Sequence, residues 1–327
     1  MKDYIWLRDE ARPFEVELVS EGARQITFKR GGELGTVATK DVRGHRHGDT
    51  PGELDHALER MDKGDFPAAE RLLAPLAEAE GWVRAHAGFH RANARRLRAE
   101  LEGTGHDEAL ALLDRWRARE GEHFLAPYAT TAMAEAALAA GQHDRARLEF
   151  ERLAGYGLAL ASRLGLARVG ERVTPGGAIE ELARIEVAAL ELRDVDVAML
   201  SRITRASALG KTGRAKEGAD LLLELLDSKS LVRSAWHGAV LNAIASLIAD
   251  LAGRLPDGAA KPEARVAASY YVNRALRYTS TQPLERAKTL ALAVEANTLA
   301  GRHDIAIMAK SELGRRYATS RFHARVR

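Results

Sequence analysis

Two histidines at alternating positions form the clearest metal-ligand pattern in the sequence. His45 and His47 are two residues apart, and on an extended strand that spacing places both imidazoles on one face. Asp49 and His56 follow closely enough in sequence to complete a ligand set. A polar surface loop between two modules accounts for the same residues. That interpretation predicts no metal site, no cofactor and no catalytic residue.

Histidine–aspartate pairs recur at intervals along the chain. They are His106-Asp107, His143-Asp144 and His303-Asp304. A metal-dependent hydrolase needs several such groups at one ion, whereas equivalent positions in a repeat protein lie one repeat apart. The pairs therefore predict turns, in which Asp144 and Asp304 cap the helices that follow.

A nucleotide-binding motif is only superficially present. Leu209-Gly210-Lys211-Thr212 looks like the end of a phosphate-binding loop, but Arg205 stands where that motif requires its first glycine. The preceding segment has a helical pattern, while the motif needs a strand. The motifs GxSxG, HExxH and GxGxxG do not occur. The sequence predicts a non-enzymatic protein with no evident small-molecule substrate.

Composition limits the remaining function classes. Of 327 residues, 46% are hydrophobic and 29% are charged, and none is cysteine. These values predict a folded chain and exclude disulfides, thiolate zinc sites and cysteine nucleophiles. No apolar run is long enough to span a membrane, which predicts a soluble protein. Because residues 1–12 lack the apolar core of a secretory leader, the default expectation is a cytoplasmic location. A periplasmic or extracellular location requires a leader that has been removed.

Charge does not favour nucleic acid as the partner. The formal net charge is only +3, and acidic and basic residues alternate along the chain, which is typical of solvated helix faces. The densest basic stretch is residues 321–327, which we predict to be a fraying tail.

The first fifty residues differ from the rest because their apolar residues alternate. Period two occurs in Phe14 to Val19, Arg24 to Lys29 and Leu34 to Thr39. The intervening Glu21-Gly22-Ala23 and Arg30-Gly31-Gly32 have turn chemistry, so we predict a small antiparallel β meander. Residues 1–50 form this β-rich module, and residues 42–51 are predicted to be its boundary.

The rest of the chain is predicted to consist of helix hairpins with recurring glycine turns. Gly64, Gly141, Gly213 and Gly301 can adopt the left-handed conformation that ends a helix. The small residues Ala69, Ala146 and Ala306 follow five positions after Gly64, Gly141 and Gly301, where the two helices of a hairpin approach each other. The intervals from Gly141 to Gly177 and from Gly177 to Gly213 are close to a 34-residue repeat.

Gly64, Phe66 and Ala69, with Ala57 upstream, resemble the tetratricopeptide signature of a small residue, then glycine, an aromatic ring and alanine. This resemblance covers residues 51–320. It implies a mainly α fold, a right-handed α-α superhelix of about seven hairpins after the β meander. Predicted first helices are 51–63, 82–101, 125–140, 157–172, 195–211, 231–254 and 283–300. Their partners are 66–79, 106–119, 143–154, 177–193, 214–228, 262–278 and 303–319.

The resemblance also implies a function, because repeat solenoids bind partners through a concave wall. Groove-facing positions by this criterion are Arg91, Arg95, Arg98, Tyr128, Glu135 and Lys288. We predict a protein-interaction or assembly scaffold. One alternative is a self-assembling subunit that forms oligomers or filaments through its ends and N-terminal strands. Another is RNA binding through the arginine-rich face.

Overall fold

The computed structural model describes residues 2–8, 10, 12–226 and 236–326. They form two compact units. The first comprises Met1–Glu100 and Thr104–Arg163, and the second comprises Leu101–Gly103 and Leu164–Arg327. The ends of two predicted helices, at 227–228 and 231–235, and Arg327 lie outside the described residues.

An antiparallel sheet of five strands opens the first unit. The strands are β1 (Asp3–Leu7), β2 (Phe14–Glu21), β3 (Gln25–Arg30), β4 (Glu33–Ala38) and β5 (Val42–Arg46). Their order in the sheet is β4-β3-β2-β1-β5. The predicted meander corresponds to β2, β3 and β4. The structure adds β1 and β5, so the first half of the predicted boundary segment is a strand. Ile5, Val16, Ile26 and Val42 form the buried apolar side of this sheet.

Fifteen α-helices follow in the described part of the chain. Those that lie in or begin in the first unit are α1 (Gly52–Asp62), α2 (Phe66–Leu76), α3 (Gly81–Glu102), α4 (His106–Glu120), α5 (Ala126–Ala139), α6 (His143–Arg152) and α7 (Ala159–Val173). The second unit continues with α8 (Pro175–Glu191), α9 (Val195–Lys211), α10 (Ala215–Leu226), α11 (His237–Arg254), α12 (Ala260–Ala275), α13 (Pro283–Leu299), α14 (His303–Arg316) and α15 (Arg321–Arg325). The predicted fold class, a mainly α helical-repeat fold after an antiparallel sheet, is confirmed.

Small residues allow the helices to pack closely. In the first unit, the buried side chains of Leu54, Ala57, Ala69, Leu73 and Ala87 form one apolar cluster between α1, α2 and α3. In the second unit, an equivalent cluster joins α9, α10 and α11 through Ala206, Ala215, Ala219, Leu222, Val240, Ile244 and Leu247. Burial of these apolar faces is the main source of helix stability.

Four hairpin turns share one backbone geometry. Gly64, Gly141, Gly213 and Gly301 have φ values between 73° and 88°. In each turn the residue after the glycine donates a backbone hydrogen bond to the carbonyl five positions earlier, as Gln142 does to Ala137 at 2.8 Å. This is the Schellman termination of a helix.

Several details of the predicted turns are wrong. The residues that cap α6 and α14 are Gln142 and Arg302, without a side-chain hydrogen bond. Asp144 and Asp304 lie inside the first turn instead, where a negative charge still interacts favourably with the helix dipole. Gly177 lies within α8 and ends no helix.

The predicted basic tail is partly helical. Residues Arg321–Arg325 form α15, whose N-terminus is capped by the Ser320 side chain, which accepts a hydrogen bond from the backbone N–H of His323. A capped terminus lowers the cost of ordering a short segment. None of the helices in the described residues combines the length and apolarity needed to cross a membrane.

Replacing Gly141 with alanine should lower the free energy of unfolding by about 1–2 kcal/mol, because an L-residue is strained at positive φ. A Cβ at Gly141 would meet no atom within 4 Å, so the loss would report backbone strain alone. Gly253→Ala is the matched control, since Gly253 is exposed near the end of α11 and also has open space around it. Urea unfolding should show no loss for this control and a gain of up to about 1 kcal/mol. Equal stability of both variants would contradict the prediction.

Candidate metal centre

One buried carboxylate meets four imidazoles where the sheet packs on the first helices. Glu21 ends β2, His45 lies on β5, and His47 follows one residue after that strand. His86 lies on α3, and His123 lies in the connection between α4 and α5. These five residues are called the Glu21 cluster below. All of them belong to the first unit.

A β-bulge turns Glu21 toward the protein interior. In β2, Leu18 pairs with Phe28 and Ser20 pairs with Thr27, so Val19 is an extra residue. Regular alternation would place Glu21 on the same side as the exposed Glu17. The bulge shifts the alternation by one residue, and the Glu21 side chain is only 8% exposed.

Asp3 connects the two backbone segments next to Glu21 and His47. β1 pairs with β2 only as far as Val16, after which the Asp3 carboxylate replaces the strand pairing. Its two oxygens accept hydrogen bonds from the backbone N–H groups of Leu18 and Gly48, each at 2.8 Å. This contact fixes the bulged part of β2 relative to the segment that carries His47.

Backbone pairing positions His123 opposite Glu21. Phe124 donates its N–H to the Glu21 carbonyl at 3.0 Å, and Ala23 donates to the Glu122 carbonyl at 2.8 Å. His123 Nδ1 accepts a hydrogen bond from Leu125 N–H. A neutral imidazole with one accepting nitrogen donates through the other, so Nε2 donates to Glu21 Oε2 at 3.3 Å. His123 therefore orients the carboxylate.

The other three histidines converge on Glu21 Oε1. His47 Nε2 lies 3.1 Å and His86 Nε2 lies 3.5 Å from that oxygen, and His45 Nε2 contacts it directly. The donor atoms of Glu21, His45, His47 and His86 all lie within 4.8 Å of one another. An ion with bonds of about 2.0–2.2 Å needs its ligand atoms roughly 3–4.4 Å apart, so the Glu21 carboxylate, which is in direct contact with His45 Nε2, would have to move away from the imidazoles to admit one.

Aromatic contacts hold the imidazoles in place. The His47 ring stacks on Trp82 with 3.9 Å between ring centroids and 13° between planes. The His45 ring packs edge-on against Phe124 at 4.6 Å, and Trp82 also contacts His86. A ligand set needs such support to keep its geometry.

Burial and hydrogen bonding act in opposite directions on the cluster. Burial raises the pKa of Glu21, but its interactions with the imidazoles of His123, His45, His47 and His86 outweigh burial and hold the pKa below its usual range. Burial lowers the pKa of His86, against the effect of Glu21. Burial likewise lowers the pKa of His90, one turn further along α3, to about 3. The cluster thus combines an ionised carboxylate with at least one imidazole, that of His86, which burial tends to keep neutral.

These residues fit a divalent transition metal. Within the described residues, every ion-pair partner of Glu21 is a histidine, so the negative charge has no fixed cation beside it. Among the described residues, the buried Nδ1 of His45 finds no hydrogen-bond partner, and neither does His86 Nε2, which lies 3.5 Å from Glu21 Oε1. Neutral imidazoles with one carboxylate are a donor set that Zn²⁺, Fe²⁺, Co²⁺ and Ni²⁺ accept.

The sequence prediction found two members of the cluster and missed three. His45 and His47 do face the same way, but their side chains are buried, so the polar surface loop is not what they form. Asp49 borders the neighbouring cleft, while His56 is exposed on α1 and accepts a hydrogen bond from Arg60. The His86–His90 spacing of four was the one local signal for a ligand on α3.

Several predicted groove residues are engaged with other side chains. Arg95 donates to Glu70 at 2.8 Å and to Glu108 at 3.0 Å, and Arg98 lies 3.8 Å from Glu70. Lys288 in the second unit pairs with Glu285. Their role in binding stays a prediction.

The remaining groove positions are all partly buried. Tyr128 donates its hydroxyl to the Val42 carbonyl of the sheet at 3.4 Å. Arg91 and Glu135 are partly buried on α3 and α5. Their role in binding also stays a prediction.

Comparison with known proteins finds solved structures that resemble this chain in fold but have low sequence identity to it. No protein-family model matches the sequence, and no curated protein matches it. A tetratricopeptide repeat protein from Parabacteroides merdae ATCC 43184 is 12% identical, with a TM-score of 0.49 over 84% of this chain and 97% of that chain.

Two structures of a quorum sensor are also similar. NprR in complex with its cognate peptide NprX is 10% identical, with a TM-score of 0.47 over 84% of this chain and 81% of that chain. The apo form of NprR from B. thuringiensis is 11% identical, with a TM-score of 0.47 over 84% and 78%. The helical-repeat fold predicted from the glycine turns is confirmed by the helix hairpins and left-handed glycine turns of this chain itself.

Proposed function

We propose that this protein binds one divalent transition-metal ion at the Glu21 cluster. The observation that carries the proposal is a buried carboxylate oxygen facing three imidazole nitrogens, with His123 holding the second oxygen. The ion would be held by Glu21, His45, His47 and His86. It would supply the positive charge that the buried carboxylate lacks.

Metal binding would join the sheet to the helices. The four ligands lie on β2, on or just after β5, and on α3, so an ion would link three segments that are far apart in sequence. Because a preformed site is absent from the unfolded chain, binding free energy adds to folding free energy. The ion would serve as a structural link of the first unit.

Metal titration tests the proposal directly. Protein freed of metal with a chelator should bind one Zn²⁺ or Co²⁺ per chain in calorimetry, with Mg²⁺ producing no comparable heat because it prefers oxygen ligands. Elemental analysis after dialysis should give the same stoichiometry. A chain that retains less than a tenth of an equivalent of every ion tested would refute a metal centre.

Thermal unfolding should respond to the same ion. Free Zn²⁺ at about one hundred times its Kd should stabilise the first unit by about 2.7 kcal/mol, and the chelator should reverse the gain. Differential scanning calorimetry with and without Zn²⁺ measures the effect, and Mg²⁺ at equal concentration is the control. An unchanged melting temperature despite measured binding would mean that the ion does not link the sheet and helices.

A second candidate is the protein-interaction scaffold predicted from the sequence. The observation that favours it is a set of exposed apolar side chains around the α8–α9 turn in the second unit. They are Val187, Leu190, Leu192 and Val195, each more than half exposed. Clustered exposed apolar residues are typical of surfaces that contact another protein.

Light scattering over a wide concentration range tests this candidate and its self-assembling alternative. If the surface joins copies of the chain, the mass should rise with concentration, and Leu190→Glu with Leu192→Glu should abolish the rise. A monomer at every concentration would eliminate self-assembly and leave a different protein as the partner. Neither candidate requires catalysis.

A further inference from the structure

A cleft lies beside the Glu21 cluster and is large enough to hold a small molecule. Its volume is about 450 Å³, within the range of small-molecule sites. The lining residues are Asp3, Leu18, Val19, Ser20, Glu21, His47, Asp49 and Trp82. Of the four metal ligands, only Glu21 and His47 line this cleft, so an ion would be approached from their side.

We propose that the metal has a coordination position open to this cleft, and that the cleft binds a free α-amino acid with an apolar side chain. The inference rests on the proposed metal site. The amino acid's carboxylate would coordinate the ion, its ammonium group would pair with Asp49, and its side chain would contact the apolar wall.

The number of protein ligands leaves room for such a donor. Four protein donors are fewer than the six that Co²⁺, Ni²⁺ and Fe²⁺ accept in octahedral sites. His123 does not complete the set, because its Nε2 donates to the second carboxylate oxygen of Glu21. The side chain of His45 is 1% exposed, whereas Glu21 and His47 line the cleft, so an added donor in the cleft would reach the ion on their side.

The charges in the cleft match a zwitterion. A divalent ion with the Glu21 carboxylate has a net charge of one plus. Asp49 lines the same cleft and is exposed. Asp3 already accepts two backbone hydrogen bonds, so Asp49 is the carboxylate better placed to receive a ligand cation. A carboxylate and an ammonium group on one small molecule complement this arrangement.

The remaining wall selects an apolar side chain. Leu18, Val19 and Trp82 contribute apolar surface to the cleft, and Val19 is about half exposed because it lies on the same outer side of β2 as Glu17. An apolar side chain of the ligand would cover the exposed surface of Val19, which lies beside the polar residues of the cleft.

Equilibrium dialysis with radiolabelled L-leucine tests the inference on full-length protein loaded with Co²⁺. The loaded protein should retain leucine saturably, and the metal-free protein should not. N-acetyl-L-leucine, which lacks the ammonium group, should compete at least about tenfold more weakly, corresponding to the loss of one ion pair. Leucine should also shift the visible absorption of bound Co²⁺, because a new donor changes its coordination.

The Asp49→Asn variant tests ligand binding in the cleft independently of metal binding. This variant should bind Co²⁺ as the wild type does and bind leucine about tenfold more weakly. Co²⁺ binding without leucine retention or a spectral shift would overturn the inference and leave the metal proposal intact. Equal affinity for leucine and N-acetyl-L-leucine would overturn the role of Asp49. A protein that binds no Co²⁺ would remove the metal proposal and this inference together.

Discussion

Replacing His86 with alanine should weaken Zn²⁺ binding by at least about a hundredfold, since loss of a direct ligand exceeds the effect of losing a residue that only orients one. His86 is the one proposed ligand that comes from a helix, so its loss also removes the link between α3 and the sheet. Calorimetric titration of the metal-free variant measures the change.

His56→Ala is the matched control for this substitution. His56 is exposed on α1, outside the cluster, and its replacement should leave Zn²⁺ affinity unchanged within about twofold. Circular dichroism of the metal-free His86→Ala protein establishes that the variant folds. Glu21→Gln gives an independent check, because it keeps the side-chain shape and removes the charge. If both cluster variants bind Zn²⁺ as tightly as His56→Ala, the ion is held elsewhere.

Glu186→Ala should destabilise the second unit by about 3 kcal/mol, because it leaves two partly buried arginines without their carboxylate. Glu186 on α8 is 5% exposed. Arg202 Nε donates to its Oε1 at 2.5 Å, and Arg205 lies 3.7 Å from its Oε2. Both arginines belong to α9, so this carboxylate connects neighbouring helices.

The same helix provides a matched control. Glu180 also lies on α8 and pairs with Arg184, but its side chain is 84% exposed. Exposed ion pairs contribute little, so Glu180→Ala should change stability by less than about 0.5 kcal/mol. Urea unfolding followed by circular dichroism measures both variants. A loss below about 1 kcal/mol for Glu186→Ala would show that solvent or rearranged side chains compensate the arginines.

An equivalent arrangement in the first unit changes how the predicted groove is understood. Glu70 on α2 contacts Arg95 and Arg98 on α3, two arginines that are three positions apart like Arg202 and Arg205. From the sequence, Arg95 and Arg98 are predicted to lie in the partner-binding groove that the resemblance implies. Their carboxylate partner lies 25 residues before Arg95, a distance at which helical periodicity gives no information.

The helices were predictable because their ends are encoded locally. Glycine after an amphipathic segment specifies the left-handed turn, and the observed helices begin and end within a few residues of the predicted ones. Among the described residues, Arg193 between α8 and α9 is the non-glycine residue with a positive φ, of 57°, and Thr174 after α7 and Leu255 after α11 have negative φ values. Strands β1 and β5 were missed because Asp3–Leu7 and Val42–Arg46 have five residues each, too few for alternation to be distinctive.

The Glu21 cluster, the candidate metal centre, was only half predictable for a related reason. The alternation of His45 and His47 is local, whereas Glu21 joins them through a bulge that reverses its expected side. His86 and His123 reach the cluster through packing of the sheet on the helices, which no spacing rule describes. A pattern of residues can therefore propose a ligand, while the complete ligand set depends on tertiary contacts.

The separation in sequence between Glu21 and His123 determines when the proposed metal site can form during synthesis. The two residues are 102 positions apart. A ribosome that adds about 5–20 residues per second needs roughly 5–20 s to cover that distance. During this interval the nascent chain exposes Glu21, His45 and His47 without the residue that orients the carboxylate. If the Glu21 cluster holds an ion as proposed, its carboxylate is oriented for that ion only after residue 123 has been synthesised.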